Sequence, residues 1–267
     1  MRRFVTLLGG LALSLFPVAA RADQLTAPDS GLIAQPGATP VADDGWHLVF
    51  AEEFSAPELD TTRWHNKLPW GRWNPPELQY YAEDALELKD GILRLRAEQR
   101  NLGGRTHTSG VINSHGLFSL QYGYIEIRAR IPSGTGLWTA FWLLPESLQG
   151  LPEIDIVENL GDAPYKLWLT HHWPDQRGNR QSAQRVYLGP DFSQAFHTYA
   201  LQWEPDELVW YIDGVEQYRS KQGVPTEPMI LIINLAIGGW AGPPNATTPF
   251  PAYLDLDYIH VYQHANY

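Results

Sequence analysis

Glu153, Asp155 and Glu158 stand together in Pro152-Glu153-Ile154-Asp155-Ile156-Val157-Glu158-Asn159. The β-branched residues between the acids indicate a strand. In a regular strand Glu153 and Asp155 share a face, and Glu158, five residues from Glu153, points the other way. A one-residue bulge between Asp155 and Glu158 returns Glu158 to that face. Three carboxylates then line one side of one strand. Like charges in register are destabilising, and acids are depleted in strands, so such a row is costly without a use. Three readings compete: a solvated polar face, a calcium site, and the acid pair of a glycosidase. Calcium sites usually draw on loops with carbonyl ligands. With the bulge, the Cα atoms of Glu153 and Glu158 lie about 13 Å apart. Inward-leaning side chains then leave about 5–6 Å between the carboxyl groups, near the spacing of a retaining mechanism. Asp155, between them, couples to its neighbours and helps to set their proton affinities.

A sugar ring has apolar faces and a hydroxyl rim, so its cleft needs flat aromatics with hydrogen-bonding side chains. Trp138 and Trp142 lie just upstream of the acids. Trp70, Trp73, Tyr80, Tyr81, Trp173 and Trp240 fall in stretches rich in Gly, Pro and Asn. Trp46, Trp64, Trp203 and Trp210 read as core. Of the pair His171-His172, strand geometry lets only one side chain reach the acid face. His172 is the expected sugar contact, with His171 the alternative. No second histidine cluster supports zinc. Ser109, Ser114 and His115 lack a nucleophile elbow, and Gly103-Gly104 lacks the context of a phosphate loop.

The elements that must position these groups are strands. In Tyr124-Ile125-Glu126-Ile127-Arg128-Ala129-Arg130-Ile131 apolar residues alternate with charged ones, as Leu93, Leu95 and Ala97 do with Arg94 and Arg96. That is a period of two. Asp90-Gly91 and Asp213-Gly214 separate such runs and signal hairpin turns. No segment has a sustained helical pattern, so an all-β sandwich or barrel is expected.

Composition narrows the function. The 267 residues are 44% hydrophobic, which excludes global disorder. The absence of cysteine excludes disulfides, a thiol nucleophile and a cysteine-attached lipid. A net charge of −11, with no basic run, argues against nucleic acid as a partner. Met1-Arg2-Arg3, an apolar stretch to Ala20 and the small-x-small site Ala20-Arg21-Ala22 make residues 1–22 a secretory signal. The apolar run is too short for a confident membrane span. Residues 23–44 read as a flexible leader, and residues 45–267 as a single domain.

The chain resembles glycoside hydrolase family 16, especially its laminarinase-like branch, from Gly45 to Gln263. The matching segments include Leu48–Phe54, Glu77-Leu78-Gln79-Tyr80-Tyr81, Tyr122–Glu126, Trp138–Trp142, the acid strand, Asn234–Gly239 and Asp257–Gln263. The resemblance implies a jelly-roll sandwich of two curved antiparallel sheets, with a glycan cleft on the concave face. It implies Glu153 as nucleophile, Asp155 as assisting acid and Glu158 as general acid/base. Asn74, Glu77, Trp138, Trp142 and His172 become cleft residues. It also implies a structural Ca²⁺ held by the carbonyls of Glu53 and Gly91 and the side chain of Asp257, with no cofactor for catalysis. The sequence departs from the family pattern twice. Glu146–Leu151 lacks a tryptophan common before the first catalytic glutamate, and Asn74-Pro75-Pro76-Glu77 is longer than the usual Asn-x-Glu.

The expected activity is a secreted or periplasmic, monomeric, retaining endo-β-1,3-glucanase acting on a β-glucan, without membrane attachment after signal removal. Mixed-linkage β-glucan or bacterial exopolysaccharide hydrolysis, transglycosylation, and a noncatalytic glycan-binding sandwich are the alternatives.

Overall fold

The computed structural model describes residues 45–265. The signal and leader expected over residues 1–44 lie outside the described residues. Among the described residues sixteen strands, numbered β1 to β16 in chain order, form two stacked antiparallel sheets and one small ribbon. The eight-stranded sheet runs β14 (Val215–Ser220), β13 (Leu208–Ile212), β12 (His197–Trp203), β7 (Gly123–Arg130), β16 (Ala252–His264), β4 (Ile92–Ala97) and β3 (Leu86–Lys89). Its eighth strand, β1 (Trp46–Glu52), also pairs with β16. The six-stranded sheet runs β11 (Arg180–Leu188), β10 (Lys166–Pro174), β9 (Glu153–Leu160), β8 (Leu137–Pro145), β15 (Met229–Ile237) and β6 (Val111–Asn113). A parallel ribbon joins β2 (Gln79–Tyr81) to β5 (His107–Ser109). Among the described residues there is no α-helix, only two short 3₁₀ turns, and no helix long and apolar enough to cross a membrane.

The period-two pattern explains the stacking. Leu93, Leu95 and Ala97 are buried while Arg94 and Arg96 are not, so β4 turns one face inward. The main core lies between the sheets, with Ile125, Ile127 and Trp210 from one and Phe141, Ile154 and Leu169 from the other. Asp90-Gly91 and Asp213-Gly214 form the β3–β4 and β13–β14 hairpins. All four residues have positive φ, as a two-residue turn matching strand twist requires.

Two details differ from the sequence reading. Tyr124 and Glu126 are buried although they face away from the core. Tyr124 and Tyr258 donate their hydroxyls to Glu126, and Tyr211 and Tyr262 pack on Tyr124. Aromatic cover thus dries what alternation alone marks as a wet face. Trp46, expected in the core, instead packs on Tyr124 and His264 on that same outer face.

A smaller apolar cluster covers one end of the open face of the six-stranded sheet. Leu68 and Tyr81 lie there on Leu144, Ile230 and Ile232, with Trp142 and Leu148 packed alongside. It makes that face a walled cleft, and the acids lie on its floor.

Candidate active site

The acids stand on one face because β9 carries a bulge. Asp155 lies opposite Trp142 and Thr170, and Glu158 lies opposite Ala140 and Trp168. From Asp155 to Glu158 is three residues, while either neighbour strand covers the same span in two. The bulged strand therefore sends both Ile156 and Val157 into the core and returns Glu158 to the open face. The bulge disrupts the ladder locally, and the carbonyl of Asp155 finds its partner across the core. Trp210, buried on β13 of the opposite sheet, donates its indole N–H to that carbonyl at 2.9 Å.

Each acid has a distinct neighbour. Glu153 lies opposite His172, and its Oε1 accepts from Arg180 Nη2 at 3.4 Å. Asp155 Oδ2 lies 3.3 Å from His172 Nε2 without a well-aligned hydrogen bond. Glu158 Oε1 accepts from the indole of Trp138 at 3.1 Å. Trp138 and Trp168 both pack on Trp240, so Glu158 stands in an aromatic corner.

This environment separates the protonation states. Burial, then the charge of Asp155, pushes Glu153 up to about 7, while His172 and Arg180 pull it back. Burial also raises Asp155, against the opposing charge of Arg180. Glu158 rises well above the usual carboxylate range through burial and then the charges of Asp155 and Glu153. Burial lowers His172 to about 4, so at neutral pH it is a neutral imidazole. The cleft therefore holds one proton-retaining acid beside one acid whose anion has a guanidinium partner.

The other expected cleft residues form a connected network. Trp142 donates its indole N–H to Asn234 Oδ1 at 2.8 Å. Asn234 lies near Tyr81, whose hydroxyl donates to Glu77 Oε2 at 3.2 Å. Asn74 Nδ2 donates to Glu77 Oε1 at 2.9 Å, and Gln79 donates to Glu77 Oε2. The longer Asn74–Glu77 spacing thus still joins the two side chains, and Asn74 orients Glu77. Burial raises Glu77 against these three donors. Gly239 separates Glu77 from Trp138. A Cβ there would lie 3.1 Å from the indole, and φ is +56°, so glycine permits the close approach.

His172 is the cleft histidine. His171 is buried on the core side, stacked on Trp173, with its Nε2 at 2.7 Å from the carbonyl of Gln222. Arg180 and Asn234 escaped the sequence reading as site residues. Arg180 sits in no local motif and Asn234 only opens the matching segment Asn234–Gly239, and the pairing of β11 with β10 and of β15 with β8 brings them to the site.

Glu153, Asp155 and His172 could also hold a metal ion, with one donor atom from each within 4.8 Å of the others. The expected calcium ligands lie elsewhere. Strand β16 pairs with β4 as far as Leu256 and with β1 from Ile259. Asp257 therefore falls where β16 changes neighbours, beside Gly91 before β4 and Glu53 after β1. Two carbonyls and a carboxylate suit calcium, so the residues fit the ion by donor type. The Glu53 carboxylate turns instead to His260 at 2.6 Å, and the Asp257 carboxylate pairs with Arg128. An ion there would share Asp257 with a guanidinium.

Comparison with known proteins agrees with this architecture. Residues 73–259 match the profile of Glycosyl hydrolases family 16. The chain is 34% identical to the beta-glucanase of Rhodothermus marinus, over 82% of this chain and 85% of that protein. It is 33% identical to glucan endo-1,3-beta-glucosidase A1 of Niallia circulans, over 82% of this chain but only 38% of that longer protein. It superposes on the catalytic domain of an endo-1,3-beta-glucanase (laminarinase) from Thermotoga petrophila RKU-1 with a TM-score of 0.76 and 33% identity. That match covers 83% of this chain and 99% of the other.

Proposed function

The chain belongs to glycosyl hydrolase family 16, and from that premise we propose that it is a retaining endo-β-1,3-glucanase working by double displacement. The observation that carries the mechanism is the bulged row Glu153–Asp155–Glu158, with a guanidinium at one end and an indole donor at the other. Glu158, raised well above the usual range, keeps its proton at neutral pH and is the general acid. Glu153, its anion supported by Arg180, is the nucleophile. In the first step Glu153 Oε attacks the anomeric carbon. The bond to the leaving oxygen breaks, and that oxygen takes the proton of Glu158. Forming the glycosyl ester removes the negative charge of Glu153, one of the causes that raise Glu158. The now ionised Glu158 is therefore freed to act as a base. It takes a proton from water, the water oxygen bonds to the anomeric carbon, and Glu153 leaves as a carboxylate. Asp155, coupled to its neighbours, buffers charge along the row.

Trp138, Trp142, His172, Glu77 and Asn74 bind and orient the sugar chain on this reading. The β-glucan is the only partner required, and a monomer suffices. Residues 1–22 direct export and residues 23–44 are a leader, so the protein acts outside the cytoplasm. A calcium ion held by Glu53, Gly91 and Asp257 would brace the outer sheet at the change of strand partner and supply no chemistry.

The test is reducing-end release from laminarin, lichenan and xyloglucan by the purified chain, with products sized and Glu153→Gln run alongside. Laminarin is expected to fall to oligosaccharides with retained anomeric configuration, and the variant to lose about a thousandfold or more in rate. Binding without turnover would instead mark a glycan-binding sandwich.

A further inference from the structure

We infer that Trp70 is a sugar-stacking platform, seating a glucosyl ring of the substrate beyond the one that faces Trp142. This rests on the glucanase reading above and assigns that activity a specificity residue.

The argument begins with the turn that carries Trp70. Gly71 donates its N–H to the Leu68 carbonyl at 3.0 Å, closing a tight turn with Pro69 and Trp70 at its tip. Both flanks are pinned. Leu68 is buried in the small apolar cluster with Tyr81 and Ile230. The Arg72 guanidinium donates to the carbonyls of Asn66 at 3.1 Å and Tyr81 at 2.9 Å and pairs with Glu83 at 2.6 Å. The tip is thus held in place, yet Trp70 remains 46% exposed.

One exposed apolar side chain is ordinary, but this one lies on the line of the cleft. Its ring centroid is 6.1 Å from that of Trp142, inclined at 59°. Trp142 lies directly opposite Asp155 on the neighbouring strand. Leu68, two residues before Trp70, packs with Ile230 and Ile232 of β15, on the side of β8 away from β9, so the two indoles lead away from the acids. The other exposed tryptophans are already engaged. Arg105 lies 3.9 Å over the ring of Trp73, whose N–H donates to the Glu77 carbonyl, and Trp240 packs against Trp138 and Trp168. Trp70 contacts only Trp142 among the described rings. The loop before Glu153 sends Leu148, not an aromatic, into the cluster beside Trp142. Trp70 therefore supplies the flat apolar surface at this end of the cleft. A pinned indole needs no reorganisation to bind a sugar face, which keeps the ordering cost of binding low.

The experiment compares the wild-type chain with Trp70→Ala and Trp70→Phe on β-1,3-gluco-oligosaccharides of increasing length, from the trimer to laminarin. For long substrates KM is expected to rise about five- to tenfold in Trp70→Ala. The shortest substrate and kcat should change less than about twofold, and Trp70→Phe should recover most of the loss. A KM change equal at every length, or none, overturns the platform. Thermal midpoints and Trp70→Leu, which keeps apolar bulk against Trp142 but no flat face, separate stacking from a disturbed Trp142. Recovery in Trp70→Leu equal to that in Trp70→Phe likewise overturns it. A wild type that cleaves no β-1,3-glucan fails the glucanase reading itself. A wild type that cleaves it, with an unchanged length dependence in Trp70→Ala, fails the platform alone.

Discussion

Asp155 and Asp255 are the same residue type, on central strands of the two sheets, exposed by 3% and 2% respectively. Their cross-strand neighbours differ. Asp255 lies opposite Arg94 and Arg130 and is ion-paired to both, at 3.2 and 2.5 Å. Asp155 lies opposite Trp142 and Thr170, with two further acids on its own strand. The first is an ion-paired structural carboxylate: cations flank it and its charge ties three strands together. The second is buried without a cation opposite it, so the rest of the fold must hold it there at a cost. Burial alone does not mark a functional acid. What separates the two is the cross-strand partner, a pair of guanidinium groups for Asp255 and none directly opposite Asp155.

The comparison is most sharply tested by neutralising one acid on each sheet. Glu158→Gln is expected to lose about 10²–10⁴-fold in kcat on polysaccharide, because the leaving oxygen has no proton donor. The same change should stabilise the fold above neutral pH. Glu158 binds its proton more tightly folded than unfolded, so its burial as an anion costs stability progressively as pH rises above the unfolded carboxylate value. A thermal midpoint raised by several degrees at pH 8, with the difference gone at pH 4, is the expected outcome. Asp255→Asn should do the reverse, leaving activity nearly intact and destabilising by about 1–3 kcal/mol, since two arginines lose their partner. A chemical denaturation curve measures it, and a stabilised Asp255→Asn would break the contrast.

The smallest expected effect concerns Arg180, the cation that faces the acid row. Glu153 meets Asp155 and Glu158 on its own strand, His172 from β10 and Arg180 from β11. On the proposed mechanism activity needs Glu153 ionised, so the acid limb of kcat/KM is expected near its value of about 7. Arg180→Met removes a group that lowers Glu153. The limb should move alkaline by about half to one pH unit, so activity at pH 6 falls about three- to tenfold while the alkaline side changes little. Arg180→Lys should restore part of the shift. A pH profile of Arg180→Met that overlays the wild type would remove Arg180 from this role.

Much of the fold was legible because its signals are local. Alternation along β4 follows from side chains pointing to opposite faces, and the two Asp-Gly turns follow from the positive φ that a two-residue hairpin demands. The acid row was legible for the same reason, down to the single inserted residue between Asp155 and Glu158. Only a bulge lets acids five apart share a face without wasting one on the core. The burial of Tyr124 and Glu126 escaped, because the tyrosines that cover them come from β13 and β16, far along the chain.

The chain order of residues thus determined the strands, the hairpins and the chemistry available on β9, since each depends on neighbours within a few positions and on the two-residue period of an extended chain. Tertiary structure decided what surrounds that chemistry. It brought Arg180 to Glu153, Trp138 to Glu158, Asn234 and Tyr81 between Trp142 and Glu77, and Trp210 through the core to the Asp155 carbonyl. It also put Trp70 beside Trp142. These contacts set proton affinity and the lining of the cleft through distance and desolvation, and both are properties of strands paired across the sheets rather than of any short stretch of sequence.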